Sequence, residues 1–302
     1  MASFTTRIKD EITKIETNKL ESIAEVCAYL QVNASFKNNE IIMFIENASV
    51  ARRMFSLIKR IYGINIKLTI RTQKKFVKKT MYILELKEKV DIISSDVKDM
   101  FNNIKDYSDE EKMSYIKGAF LSSGSINDPS TSKYHLELLI TNENVANLVN
   151  ELLREFNFNS KIISRTKGYM IYIKSAEEIS DFIKMLNAID ALFYFEDIRI
   201  YRDHKNMVNR LNNCEQANVE KMMKTCNEQI ENINYLADND MLMLLDDKTK
   251  TIADYRIKYP ETTMSELADI ISVETDFKMS KSSINHGFRK IKDLVNKSKE
   301  SE

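Results

Sequence analysis

Sliding the sequence against itself by 90 positions lays AEVCAYLQVNASF (24–36) on SYIKGAFLSSGSI (114–126). The overlay pairs Val26 with Ile116, Ala28 with Gly118, Leu30 with Phe120, Ala34 with Gly124 and Ser35 with Ser125. Apolar residues fall on apolar ones and small residues on small ones. Ordinary amphipathic helices account for the apolar spacing but not for the matched small residues, which let two helix backbones approach closely about a pseudo-two-fold axis.

The repeat extends beyond this pair of helices. After the helix at 22–33 come an apolar run, EIIMFIE, a helix at 49–62, two strand-like runs, INIKLTIRT and TMYILELK, and a helix at 94–103. The same order recurs as a helix at 115–123, the strand YHLELLIT, a helix at 144–156, the runs KIISRT and YMIYIKS, and a helix at 176–186. Each half therefore reads as αββαββα or αβαββα, in an α+β chain. Residues 64–71 alternate apolar and polar, the pattern of a strand with one face buried and one solvated.

Composition narrows the partners. The chain has 302 residues, 43% apolar and 30% charged, with Lys plus Arg (45) equal to Asp plus Glu (45). A nucleic-acid surface must then be a local patch, since no global positive field exists. Cys27, Cys214 and Cys226 lack metal-ligand spacing and are expected as buried small residues in a reducing cytosol. No 18-residue uncharged run suggests a membrane span. The five glycines build neither a P-loop nor a dinucleotide fingerprint, and His135, His204 and His286 lie far apart. No metal, cofactor or small-molecule substrate is expected.

The C-terminal stretch reads as three short helices: 251–259, stopped by Pro260, then 264–271, and 281–296. Thr263 and Glu266 form a T-x-x-E capping box, Ser280 stands as an N-cap, and Met279 and Ile284 have the spacing of a hydrophobic staple. Ile284, Phe288, Ile291 and Val295 share one stripe of the last helix. Ser282, His286 and Arg289 face the other way, flanked by Asn285 and Lys290. An apolar stripe for packing and a cationic face for the major groove describe a recognition helix. From 278 to 299 the basic residues face Asp293 as the lone acid.

The paired helices and their turns resemble the helix-to-turn motif of the LAGLIDADG homing endonucleases. Aligned on Ala34 and Gly124, the family's metal-binding acids fall on Asn33 and Ser123. Amide and hydroxyl oxygens hold a hard divalent cation poorly, so the resemblance implies a scaffold without cleavage chemistry. Together, SFTTRIKDEI, KGAFLSSGSIND followed by YHLEL, NRLNNCEQAN and SKSSINH resemble the WhiA family of bacterial regulators. That resemblance implies a degenerate LAGLIDADG domain joined to a helix-turn-helix, acting in sporulation, cell division or chromosome segregation. It implies a cytoplasmic, nucleoid-associated protein that is not an enzyme.

The expected domains are 1–105 (N-terminal arm and first repeat), 106–196 (second repeat), 197–245 (helical linker) and 246–302 (helix-turn-helix). The partner expected is double-stranded DNA, with a protein co-regulator besides. The alternative is an interaction scaffold on the nucleoid with secondary DNA binding. Contacts are expected from Ser280, Lys281, Ser282, Ser283, Asn285, His286, Arg289 and Lys290. Supporting phosphate contacts are expected from Lys67, Arg71, Lys74, Lys75, Lys78 and Lys79. The segment SVETDFKM, between the last two helices, reads as longer than a compact turn of about three or four residues.

Overall fold

The computed structural model describes residues 3–37, 39–73 and 79–300. It divides into two compact units, Met1–Asp203 and His204–Glu302.

In the first unit the duplication is visible element by element. The first copy runs α2 (Lys19–Asn33), β1 (Ser35–Lys37), β2 (Glu40–Ile45), α3 (Ala48–Tyr62), β3 (Ile66–Gln73), β4 (Lys79–Leu86) and α4 (Val90–Asn103), preceded by α1 (Phe4–Ile12). The second runs α5 (Asp109–Ser123), β5 (Gly124–Ile126), β6 (Leu136–Ile140), α6 (Glu143–Glu155), β7 (Lys161–Arg165), β8 (Gly168–Ile173) and α7 (Ala176–Met185). Each copy is thus αββαββα. Its sheet is antiparallel, with order β1-β2-β4-β3 in one and β5-β6-β8-β7 in the other.

The helix starts repeat as well. The Glu21 carboxylate accepts from the Asn18 backbone N–H at 3.2 Å, and that of Glu111 from the Ser108 N–H at 2.8 Å, again 90 positions apart. Reciprocal caps of this kind satisfy N–H groups left over by the helix. The paired helices α2 and α5 meet at their small residues. A Cβ added to Gly118 would lie 3.0 Å from the Ala28 Cβ and closer still to the Glu25 carbonyl oxygen. The crossing buries Leu30, Phe120, Tyr29 and Tyr115 in the core of this unit.

One polar cluster is buried with them. Glu25 is wholly inaccessible, and its carboxylate takes both Nε and Nη2 of Arg53 and, at 3.0 Å, the Lys117 ammonium from the other copy. Arg53 Nη1 also donates to the carbonyls of Thr13 (3.0 Å) and Ile15 (2.8 Å).

The expected alternation at 64–71 is present, but its apolar side is not fully covered. Leu68 and Ile70 remain 46% and 57% exposed beside a groove lined by Phe55 and Tyr82. The helix that packs on this face, α3, lies against β2 and β4, which leaves the edge strand β3 half open.

The helix α8 (Ile189–Asp238) starts inside the expected second repeat and runs through most of the expected linker as one element. Its start is capped by Glu11, whose carboxylate accepts from the backbone N–H of Asp190 and Ala191. Cys27 and Cys226 are buried as expected, whereas Cys214 is exposed. The reason is that α8 is solvated along 205–221, so Met207 and Leu211 are bare there too.

In the second unit the end of α8 packs with α9 (Asp247–Lys258), α10 (Met264–Glu274) and α11 (Lys281–Lys299). Ile233 and Leu236 of α8 join Ile252, Leu267, Ile271, Ile284, Phe288, Ile291 and Val295 in one core. Helix α10 continues to Glu274, so the connection to α11 is shorter than the sequence suggested. The Ser272 hydroxyl staples it, accepting from the Met279 N–H at 2.8 Å and donating to the Met279 carbonyl at 3.3 Å.

Candidate nucleic-acid interface

Two places bear on function, one in each unit. In the second, α11 is capped by Ser280, whose hydroxyl accepts from the Ser283 N–H at 3.3 Å. The Ser280 and Ser283 hydroxyls also bond each other at 3.1 Å, so both serve the cap. Thr263 caps α10 through the expected reciprocal box. Along α11, Ile284, Gly287, Phe288, Ile291 and Val295 are buried. Lys281, Ser282, Asn285, His286, Arg289 and Lys290 are all exposed. At 3.6 residues per turn, positions 282, 285, 286 and 289 form one continuous face.

Lys290 stands apart from this group, because its ammonium is 3.5 Å from the carboxylate of Asp246, just before α9. The Thr249 hydroxyl, and after it the Lys290 ammonium, hold the Asp246 carboxyl below its ordinary range. Arg289 and Lys281 are exposed with no ion-pair partner among the described residues. They are the side chains of this face best placed to meet an external anion.

In the first unit, Asn33 and Ser123, where the resemblance implies that the family's acids are replaced, lie at the ends of α2 and α5. The Asn33 side-chain oxygen accepts from the Phe44 N–H at 3.3 Å, and the Ser123 hydroxyl donates to the Ala119 carbonyl at 3.5 Å. Asn33 lines a cavity of about 390 Å3 together with Leu121, Ser122, Phe44 and Lys9. Lys9 comes from α1, a helix that sequence reasoning passed over. Its apolar residues Phe4, Ile8 and Ile12, at spacing i, i+4, i+8, were the available signal. The Thr5 side chain fastens α1 to β5, donating to the Ile126 carbonyl and accepting from the Ile126 N–H, both at 2.9 Å.

Burial pushes the Lys9 ammonium down to about 8, against the opposing pull of Glu46. The ammonium shares this cavity with Asn33 and with the carboxylate of Glu46. Among the described residues no group of three or more His, Cys, Asp or Glu is placed to hold a metal.

The supporting positions on the first sheet are mixed. Lys67 and Arg71 are exposed on β3, but the Lys67 ammonium is 2.9 Å from the Glu85 carboxylate on β4. Lys74, Lys75 and Lys78 lie outside the described residues, as does the side chain of Lys79. Among the described residues no helix is long and apolar enough to cross a membrane.

A duplicated LAGLIDADG-like α+β scaffold, followed by an all-α domain with a cationic third helix, defines the class. The chain belongs to the WhiA family. The WhiA N-terminal LAGLIDADG-like domain matches residues 19–98, the WhiA LAGLIDADG-like domain 112–205, and the WhiA C-terminal HTH domain 208–295. A "probable cell division protein WhiA" of Bacillus thuringiensis (strain Al Hakam) is 41% identical over 98% of this chain and 97% of that protein. Its counterpart in Bacillus cytotoxicus is 40% identical over 98% and 96%. The full-length DUF199/WhiA crystal structure from Thermotoga maritima covers 98% of this chain and 99% of its own, at 23% identity and a TM-score of 0.58. That likeness speaks to the fold.

Proposed function

We propose that this protein is a non-catalytic, sequence-specific DNA-binding regulator that reads duplex DNA with α11. The observation that carries the reading is the division of that helix into a buried apolar stripe and an exposed face of Lys281, Ser282, Asn285, His286 and Arg289. Arg289 is the base reader, its fork suited to guanine O6 and N7, and Lys281 meets phosphate. The curated relatives carry cell division in their names, which favours a role for this chain in division, chromosome segregation or sporulation, inside the cytoplasm and on the nucleoid.

The first unit contributes at most weak contacts without sequence preference, through Arg71 and the neighbouring lysines, because Glu85 already neutralises Lys67. Its missing acids and the ammonium of Lys9 argue against cleavage.

The test is a mobility-shift titration on a site selected from genomic fragments. Arg289→Ala should cost roughly 1–3 kcal/mol at that site and little on unrelated DNA. Unchanged specific affinity in a folded Arg289→Ala protein would overturn the assignment. Specific nicking of plasmid with Mg2+ would revive the nuclease reading.

A further inference from the structure

The second unit contains a buried cation whose guanidinium the fold uses only in part. Arg256 of α9 is completely inaccessible, and among the described residues no acid pairs with it. Only one end of its guanidinium is satisfied. Nη1 donates to the carbonyls of Thr262 (2.7 Å) and Tyr259 (3.2 Å), while Nε and Nη2 have no partner. The group stacks over Phe288 at 5.4 Å, and burial pushes its pKa down. A guanidinium does not give up its proton in a protein, so the charge stays. An unpaired buried charge with two orphaned donors is among the costliest arrangements a core can keep.

Arg256 forms part of the wall of a cavity of about 460 Å3 between α8, α9 and the starts of α10 and α11. The cavity has the size of a small-ligand site. Lys221 and Lys281 stand at its rim, and no acidic residue lines it. The first turn of α10 adds the N–H groups of Met264 and Ser265, which the Thr263–Glu266 box leaves over. Met222 and Met264 supply apolar wall. Their unbranched thioethers repack readily, which lets this wall adjust to a ligand.

We infer that this cavity binds a small organic anion, an oxyanion head of carboxylate or phosphate type on a short apolar body, with Arg256 as its counter-charge and Lys221 and Lys281 at the entrance. The binding stands independently of the DNA reading. A consequence rests on that reading: Lys281 opens α11, so an anion in the cavity competes with a DNA phosphate for its ammonium. Occupancy then weakens DNA binding, and DNA weakens the anion by the same factor.

The experiment uses the full-length protein, without DNA, carrying 13C-methyl methionine. Titrations with inorganic phosphate, hexanoate and hexyl phosphate are compared with hexanol, which has the apolar body and no charge. Thermal midpoint and the Met222 and Met264 methyl signals are the readouts, a saturable rise in midpoint being what selective binding to the folded state produces. At least one anion should shift both in a saturable way while hexanol does not, and phosphate against hexanoate tells the two head groups apart. Arg256→Gln should abolish the response. Should that variant not fold, Lys221→Gln, on an exposed position, should weaken the anion about threefold or more by loss of one rim charge. No saturable response to any anion would mean that water alone fills the cavity, and an undiminished response in the variants would mean that the anion binds elsewhere; either would overturn the site. With binding established, the same anion should lower DNA affinity in a mobility shift; an unchanged affinity would overturn the coupling alone.

Discussion

Gly118 of α5 lies directly over the Glu25 carbonyl of α2, with room there for a hydrogen and not for a methyl group. The obstacle is backbone, which cannot swing aside as a side chain would. Gly118→Ala should therefore destabilise the first unit by about 3 kcal/mol, at the upper end of ordinary overpacking. Ala28→Gly, at the matched position, removes a methyl and should cost only about 1 kcal/mol through helix propensity. Urea denaturation of the two variants checks the order; equal losses would show that the helices do not meet here as described.

The same carbonyl belongs to the residue that neutralises Arg53 and Lys117. Glu25→Gln keeps the shape and removes the charge, stranding two buried cations. A loss of about 3–5 kcal/mol is expected. The double variant Glu25→Gln/Lys117→Met should recover part of it, and a denaturation cycle over the four proteins measures the coupling. A zero coupling energy would contradict the described pair.

Lys9 gives the first unit a pH dependence of definite sign. Its folded pKa, about 8, lies below the ordinary lysine value of 10.5, so between those limits the unfolded chain binds more protons and stability rises with pH. The penalty for burying the ammonium is full below about pH 8 and gone above the unfolded value. Lys9→Met should thus stabilise the protein by about 1–2 kcal/mol at pH 7, discounted for its partial exposure, with the gain fading by pH 10.5. Parallel denaturation at pH 7 and 10 tests this, and a gain that does not shrink with pH would refute it.

Asp246 should act on DNA binding through Lys290, 3.5 Å away. Asp246→Asn keeps an acceptor for the Thr249 hydroxyl while releasing the lysine. DNA affinity at low salt should rise about two- to threefold, and the gain should disappear at high salt as exposed charges are screened. Salt-dependent mobility shifts would show it. A gain that persists at high salt would need another cause.

How much of this was readable beforehand depended on whether the signal lay in the chain or in what covers it. The α2–α5 crossing was legible because Ala28 and Gly118 are small at matched positions, and the α11 stripe because Ile284, Phe288, Ile291 and Val295 keep helical spacing. The strands β1 and β5 were left open between the two element orders, since three residues such as Ser35–Lys37 become a strand only by pairing with a neighbour. Leu68 and Ile70 alternate correctly, but no sequence pattern reports that α3 stops short of them. Cys214 sits in a helical apolar rhythm that the solvated stretch of α8 leaves uncovered. Arg256 reads like any charged helix residue; that its guanidinium ends up sealed with two donors idle is a property of packing, and the cavity beside it was invisible for the same reason.

The Glu25 cluster makes the two halves unequal. Shifted by 90 positions, Glu25 becomes Tyr115 and Lys117 becomes Cys27. Two first halves facing each other would set buried carboxylates with no lysine from the opposite helix, and two second halves would bring buried lysines with no carboxylate between them. The halves are complementary here: Lys117 of the second finds its carboxylate only in the first.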